Sequence, residues 1–62
     1  MADDALRALV HDLRAPLTVV EGFSDLLARR AGELAPAERD EYLGRITAAA
    51  REMRELLDRA AS

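Results

Sequence analysis

Two series of apolar residues, each with alternating spacings of three and four, constrain the fold of this 62-residue chain. The first series consists of Leu6, Leu9, Leu13, Pro16, Val20, Phe23 and Leu27, and the second of Leu43, Ile46, Ala50, Met53, Leu57 and Ala60. This spacing is typical of helices that pack in a left-handed bundle. Further apolar residues widen both stripes, namely Val10, Leu17, Tyr42, Ala49 and Leu56. Stripes of this width favour a four-helix bundle over a two-stranded coiled coil.

End signals predict one helix from about residue 3 to 30 and a second from about residue 36 to 60. Asp3 or Asp4 can cap the first helix or complement its dipole. Gly32 is a candidate for a left-handed residue that terminates it. Pro36 suits the first position of the second helix. The loop, about residues 31–35, is short, so we expect the two helices to be antiparallel neighbours.

A hairpin of two helices cannot cover its own apolar stripes. Domains of about 60 residues bury only about 60% of their unfolded surface and usually need a disulfide, a metal or a partner. The chain has no Cys and a single His, which leaves no disulfide and argues against a metal site within one chain. We therefore expect residues 1–62 to form one all-α domain that homodimerises, so that two antiparallel hairpins close a four-helix bundle.

Charge and hydropathy exclude several classes of function. A net charge of −3 argues against nucleic-acid binding, because nucleic-acid-binding domains are typically basic. No apolar run approaches the ~20 residues of a membrane span, and Met1-Ala2-Asp3-Asp4 does not resemble a signal peptide. We expect a cytoplasmic segment without membrane contact, although a parent protein could carry an anchor elsewhere.

The heptad places the only histidine on the surface. With Leu6 and Leu13 at position a, His11 falls at position f, the position furthest from the bundle core. His11 is therefore not a core histidine. Taken alone, it would be an ordinary surface side chain, and its sequence context is what distinguishes it.

That context is the run from His11 to Thr18, HDLRAPLT, followed by VVEGFSDLL up to Leu27. The first run resembles the H-box of sensor histidine kinases, and the apolar pairs, Gly-aromatic step and double Leu of the second continue the resemblance. Residues 5–60 are similar to one whole dimerisation and histidine-phosphotransfer domain (DHp, HisKA type).

The resemblance implies a function. His11 would accept a phosphoryl group from ATP held by a separate catalytic domain, and pass it to an aspartate of a response-regulator receiver domain. Asp12 would orient the imidazole and accept its proton. The parent kinase would use ATP and Mg²⁺, but this chain shows no site for either, so we expect the fragment alone to be inactive.

Four further residues belong to the surface where the resemblance places the response regulator: Arg14, Thr18, Gly22 and Asp25, with part of the early second helix. One position departs from the family. Many members carry Thr or Asn where this chain has Ala15, and that side chain is thought to position the water that hydrolyses the regulator's aspartyl phosphate. Alanine has no hydrogen-bonding group, which argues against phosphatase activity.

Pro16 removes one helical hydrogen bond, to the carbonyl of Asp12, and crowds that carbonyl. It could begin a new helix. Because the heptad passes through it unbroken, we favour one kinked helix.

Two alternatives to a kinase domain remain at this point. The chain could be a stand-alone histidine phosphotransfer protein, or a purely structural dimerisation hairpin with a vestigial histidine.

Overall fold

The computed structural model describes residues 2–62, apart from the side chain of Ala2, and contains two helices. Helix α1 spans Ala2–Arg30 and helix α2 spans Pro36–Ala61. The helices pack against each other along their length, and residues 2–62 include no strand. The predicted all-α antiparallel hairpin is confirmed. None of its helices is long and apolar enough to cross a membrane, within the part of the chain described.

The hairpin is a thin rod of 48 × 17 × 10 Å. Its Cα radius of gyration is 14.6 Å. A compact domain of the same length would have a radius of gyration of about 11 Å. The excess follows from two long helices side by side with nothing packed above or below them, so most apolar side chains stay partly in contact with water.

Helix α1 ends in a right-handed turn. The amides of Glu33 and Leu34 both donate to the carbonyl oxygen of Arg30, at 2.9 and 3.2 Å. The prediction that Gly32 adopts a left-handed conformation is wrong, because no glycine in the described chain has a positive φ. Since turn hydrogen bonds already satisfy the Arg30 carbonyl, a left-handed terminator is not needed there.

Helix α2 begins at Pro36, whose missing amide proton costs nothing at a first helical position. The preceding residue, Ala35, is extended, with φ −65° and ψ 151°. Its amide donates to Oε1 of Glu38 at 3.1 Å. This is one half of a capping box, because the alanine side chain has no oxygen to return the bond. The same carboxylate also lies favourably at the positive end of the helix dipole.

Pro16 lies inside α1, which continues through it to Arg30. The structure therefore supports a single helix over a new helix that begins at the proline. Pro16 is buried against α2, together with Ala49 on the facing helix. A proline and an alanine at this contact let the two backbones approach closely.

The interface between the helices uses only part of the predicted stripes. Facing α2 are Leu9, Leu13, Pro16, Val20, Phe23 and Leu27, and facing α1 are Tyr42, Ile46, Ala49, Met53 and Leu56. The rings of Phe23 and Tyr42 stack at a centroid distance of 5.1 Å near the loop end. Of the α2 residues, Tyr42, Ala49 and Leu56 were predicted to flank the stripe, and they instead form the centre of this contact.

The other apolar side chains remain exposed. Leu6, Val10 and Leu17 on α1 and Leu43 and Leu57 on α2 are between 44% and 60% exposed. They lie about 80° around each helix from the interhelical contact, on the same side of the hairpin. We call these five residues the open apolar face. A bundle helix contacts two neighbours, and one hairpin supplies only one of them.

Candidate functional site

His11 lies in the middle of an unbroken stretch of α1, and its side chain is 86% exposed. The exposure agrees with the f position that the heptad assigns to it. Because the side chain is so exposed, a partner protein can reach both the face and the edge of the imidazole ring. Access, the first requirement for a phosphoacceptor, is therefore met.

The neighbouring carboxylate contacts one nitrogen of the ring. Nδ1 of His11 lies 3.2 Å from Oδ1 of Asp12, whose side chain is 54% exposed. An ionised carboxylate can only accept a hydrogen bond, so a neutral imidazole in this contact carries its proton on Nδ1. The lone pair then belongs to Nε2, which points away from the carboxylate. The contact thus leaves Nε2 as the nitrogen with a free lone pair.

The residues predicted to meet a response regulator lie on one stripe of α1. At about 100° per residue, His11, Arg14, Thr18, Gly22 and Asp25 fall within an arc of about 80°, on the side opposite α2. All five are exposed. The stripe is long, since Asp25 lies about 21 Å along the axis from His11. These residues therefore share a face, and only Arg14 is within one turn of the imidazole.

Local bonds occupy several of these side chains. The hydroxyl of Thr18 donates to the carbonyl oxygen of Arg14 at 2.9 Å. Nε of Arg29 donates to Oδ1 of Asp25 at 3.1 Å. A methyl group built onto Gly22 would meet no atom within 4 Å. Gly22 therefore leaves a shallow open place on the helix and is not required by packing within the hairpin.

A shallow apolar groove runs beside this stripe, and the sequence analysis did not identify it. Val19, Phe23 and Leu26 line it together with Thr18 and Gly22. Next to it, Val19 faces Arg45, Ala48 and Glu52 of α2 across a second depression. The signal in the sequence was the apolar pair at positions 19 and 26, one heptad apart and outside the a and d positions. This flank adds apolar contact area to the polar stripe.

Arg7 is a second residue that the sequence analysis did not single out. With Leu6, Val10, Arg14 and His11 it lines a depression of about 480 Å³ on the surface of α1. Its signal was the spacing of four residues before His11, which puts both side chains on one face.

The other side of His11 is different in character. Asp12 borders a depression formed with Ala8 and Leu9 of α1 and with Leu56 and Arg59 of α2. Arg59 is the cation that α2 contributes on this side. The imidazole thus has Arg7 and Arg14 on one side, and Asp12 with Arg59 beyond it on the other.

Within the described residues, no three His, Cys, Asp or Glu side chains come together in a way that could hold a metal ion.

Comparison with known proteins identifies the family of this chain. The family model for the His Kinase A (phospho-acceptor) domain matches residues 1–60. No curated protein and no solved structure gives a significant match to the chain.

Proposed function

The chain belongs to the His Kinase A phospho-acceptor family, the phosphoacceptor and dimerisation module of histidine kinases, and from this premise we propose how it works. His11 accepts the γ-phosphoryl group of ATP from a separate catalytic domain. It then passes the group to an aspartate of a response-regulator receiver domain. The chain acts as a homodimer, in the cytoplasm, within a larger two-component sensor kinase that uses ATP and Mg²⁺.

The contact between His11 and Asp12 is the observation that carries the proposal. Nucleophilic attack by an imidazole needs a free lone pair on one nitrogen and a place for the proton of the other. Oδ1 of Asp12 lies 3.2 Å from Nδ1 and accepts its hydrogen bond, so Nε2 attacks the γ-phosphorus as the bond to ADP breaks. As positive charge develops on the ring, the carboxylate stabilises it and can take the proton. The product is a neutral imidazole ring that carries the phosphoryl group on Nε2.

The open apolar face supports the dimer. Five large apolar side chains, each between 44% and 60% exposed, lie on one side of a hairpin that has no third element. A second copy related by a two-fold axis presents the same face and covers it isologously. His11 itself lies about 120° from the centre of this face on α1, so dimerisation leaves the imidazole accessible.

The polar stripe and its apolar flank support receiver docking. Arg14, Thr18, Gly22 and Asp25 offer charges and hydrogen-bonding groups, and Val19 and Leu26 offer apolar area beside them. A receiver seated there brings its phosphoacceptor aspartate next to Nε2. Transfer breaks the N–P bond and forms the aspartyl O–P bond, while a proton returns to Nδ1 from Asp12 or water, so the imidazole leaves neutral with its lone pair again on Nε2.

Radiolabelling tests the phosphoacceptor. The dimer is mixed with a compatible ATP-binding domain, Mg²⁺ and γ-labelled ATP, and the label on the chain is followed. We expect one label that is acid-labile and base-stable, as a phosphoramidate is, and that is lost in His11→Gln. Label in His11→Gln would show that the site is wrong. If the folded wild-type dimer accepts no label from any histidine-kinase catalytic domain, the structural-hairpin alternative stands.

A stand-alone phosphotransfer protein would take its phosphoryl group from a phosphorylated receiver, and not from ATP. The two alternatives therefore separate when the dimer is offered either a phosphorylated receiver or a catalytic domain with ATP. Faster labelling from the catalytic domain favours the kinase.

A further inference from the structure

Two arginines flank the imidazole along the exposed side of α1. Arg7 lies four residues before His11 and Arg14 three residues after it, so one guanidinium emerges on the turn at each side. The three side chains line one depression, with Leu6 and Val10 at its edge. The depression is open to solvent, and a second copy seated on the open apolar face would cover its Leu6 and Val10 edge, which leaves the imidazole and the two guanidiniums as the accessible part.

Neither guanidinium is neutralised within the hairpin. The ion pairs among residues 2–62 join His11 to Asp12, Arg29 to Asp25, Arg30 to Glu33 and Arg45 to Glu41. Arg7 and Arg14 have no carboxylate within 4.0 Å in the described chain. Each therefore keeps its five N–H donors for water or for an incoming anion.

We propose that Arg7 and Arg14 bind the phosphoryl group that His11 carries on Nε2. Asp12 contacts Nδ1, so the phosphoryl group is attached to the opposite nitrogen, away from the carboxylate that would repel it. A phosphoryl group presents three acceptor oxygens and nearly two negative charges, and guanidinium is the side chain whose geometry fits such oxygens best. Arginines on the turns before and after the histidine can each reach a different oxygen.

This site favours the phosphorylated form of His11 over the free form. It raises the share of phosphohistidine at a given ratio of ATP to ADP, and it holds the phosphoryl group in one orientation before a receiver arrives. The biological role rests on the proposed phosphorylation of His11. The binding itself can be tested without any kinase.

Chemical phosphorylation separates the two questions. The chain has one histidine, so phosphoramidate gives a single modified residue, which ³¹P NMR reports directly. The measurement is the pH midpoint at which the ³¹P signal of the phosphohistidine reports loss of its proton. A guanidinium favours the deprotonated, more negative form, so its loss must move this midpoint to higher pH. Arg7→Gln and Arg14→Gln should each raise it by roughly 0.2 to 0.7 pH unit, as expected for an exposed charge pair.

The control variant is Arg39→Gln, which removes the same charge from an exposed position near the loop, far from His11. Its midpoint should equal that of the wild type. Arg7→Lys should fall between wild type and Arg7→Gln, because lysine keeps the charge and loses the fork. The differences should shrink in 1 M salt, where charges are screened beyond about 3 Å. A purely structural role for either arginine would move none of these values.

Equal midpoints in wild type, Arg7→Gln and Arg14→Gln would overturn the proposal, and so would an equal rise in Arg39→Gln. The outcome is independent of the kinase assay. Labelling of His11 by a catalytic domain with unchanged midpoints removes only the arginine site. A shifted midpoint without such labelling removes only the kinase role.

Discussion

At the scale of single residues, the chemistry of this chain depends on which nitrogen of His11 is free. A surface imidazole alone populates both neutral tautomers. The Asp12 carboxylate, 3.2 Å from Nδ1, favours the tautomer with its proton on Nδ1, and in the proposed reaction it would accept that proton. Because both side chains are more than half exposed, their contact contributes little to folding stability. A change at either residue should therefore affect catalysis without unfolding the hairpin.

Asp12→Asn is expected to slow phosphorylation of His11 on the order of 10²-fold, the usual contribution of one acid or base. The amide can still accept the Nδ1 hydrogen bond through its oxygen, but it cannot take the proton or stabilise the cationic ring. The initial rate of labelling by a catalytic domain measures the effect. Asp25→Asn, on the same stripe, removes an equal charge about 21 Å from His11 and serves as the control. Equal rates for Asp12→Asn and wild type would show that Asp12 is not the base.

Ala15→Thr is expected to accelerate loss of phosphate from the cognate phosphorylated receiver, which the wild-type chain should dephosphorylate weakly. Position 15 lies one turn after His11 on the same side of α1, so a hydroxyl there projects toward a docked receiver. Thr18 is a poor substitute. It lies about 10 Å from His11 along the axis, and its hydroxyl donates a hydrogen bond to the Arg14 carbonyl.

Decay of the phosphorylated receiver measures this activity, and Ala8→Thr provides a hydroxyl on the turn before His11 as the control. The helix should tolerate either change, because threonine costs only about 0.7 kcal/mol relative to alanine. Fast decay with wild-type protein would contradict the role assigned to position 15.

At the scale of elements, α1 carries its weakest backbone position close to His11. Pro16 leaves the carbonyl of Asp12 without its helical donor, although the helix continues on both sides. Asp12, whose side chain contacts His11, therefore also carries the backbone carbonyl that lacks its helical hydrogen bond. Helix α2 has its proline at the first position, where a missing amide proton has no cost. The two prolines thus provide an internal comparison.

Pro16→Ala is expected to raise the free energy of unfolding by about 1–2 kcal/mol. The restored hydrogen bond to the Asp12 carbonyl and the removal of the ring clash contribute up to about 3 kcal/mol, from which the lost contacts of a buried proline are subtracted. Thermal and urea denaturation of the dimer measure the change.

Pro36→Ala should be neutral or slightly destabilising in the same experiment. A stability of Pro16→Ala at or below that of wild type would mean that the proline ring contributes more to the contact with Ala49 than its helix defect costs.

At the scale of the whole molecule, the hairpin lacks an element that covers its open apolar face. The side chains there are between 44% and 60% exposed, whereas Val19 on the opposite flank of α1 is 37% exposed. Leu17 and Val19, only two residues apart, thus lie on opposite flanks of α1. Leu17 is expected to enter the dimer core, and Val19 is expected to border the surface where the receiver docks.

Leu17→Glu is expected to dissociate the dimer, because it places an unpaired charge in the covered face, a strongly unfavourable burial. Val19→Glu, the same kind of change on the other flank, should leave the dimer intact. Light scattering at micromolar concentration should give twice the chain mass for wild type and Val19→Glu. The melting temperature of the wild type should also rise with protein concentration. A folded wild-type monomer, or a dimeric Leu17→Glu, would exclude this face as the interface.

Leu13→Asp should have a different effect. Leu13 is only partly exposed and packs against α2, so an aspartate there is expected to unfold or dissociate the protein. Loss of the helical signal in circular dichroism would separate it from Leu17→Glu, which should retain more helix within the separated hairpins.

The sequence by itself determined the two helices, their short connection and the exposure of His11. These follow from local rules, since periodicity, end residues and a single heptad register need no knowledge of the partner helix. The H-box run likewise indicates the family without reference to how the helices pack.

Only the tertiary structure decided how the apolar residues divide between the contact of α1 with α2 and the open apolar face. The heptad treats Leu43 and Leu57 as core, yet they are 47% exposed, while Ala49 is the residue that α1 buries. The division depends on the rotation of each helix about its own axis, and a stripe wide enough for two contacts fits several rotations. The turn after Arg30 shows the same limit. Glycine permits a left-handed terminator at position 32, but whether the chain uses one depends on where α2 must begin.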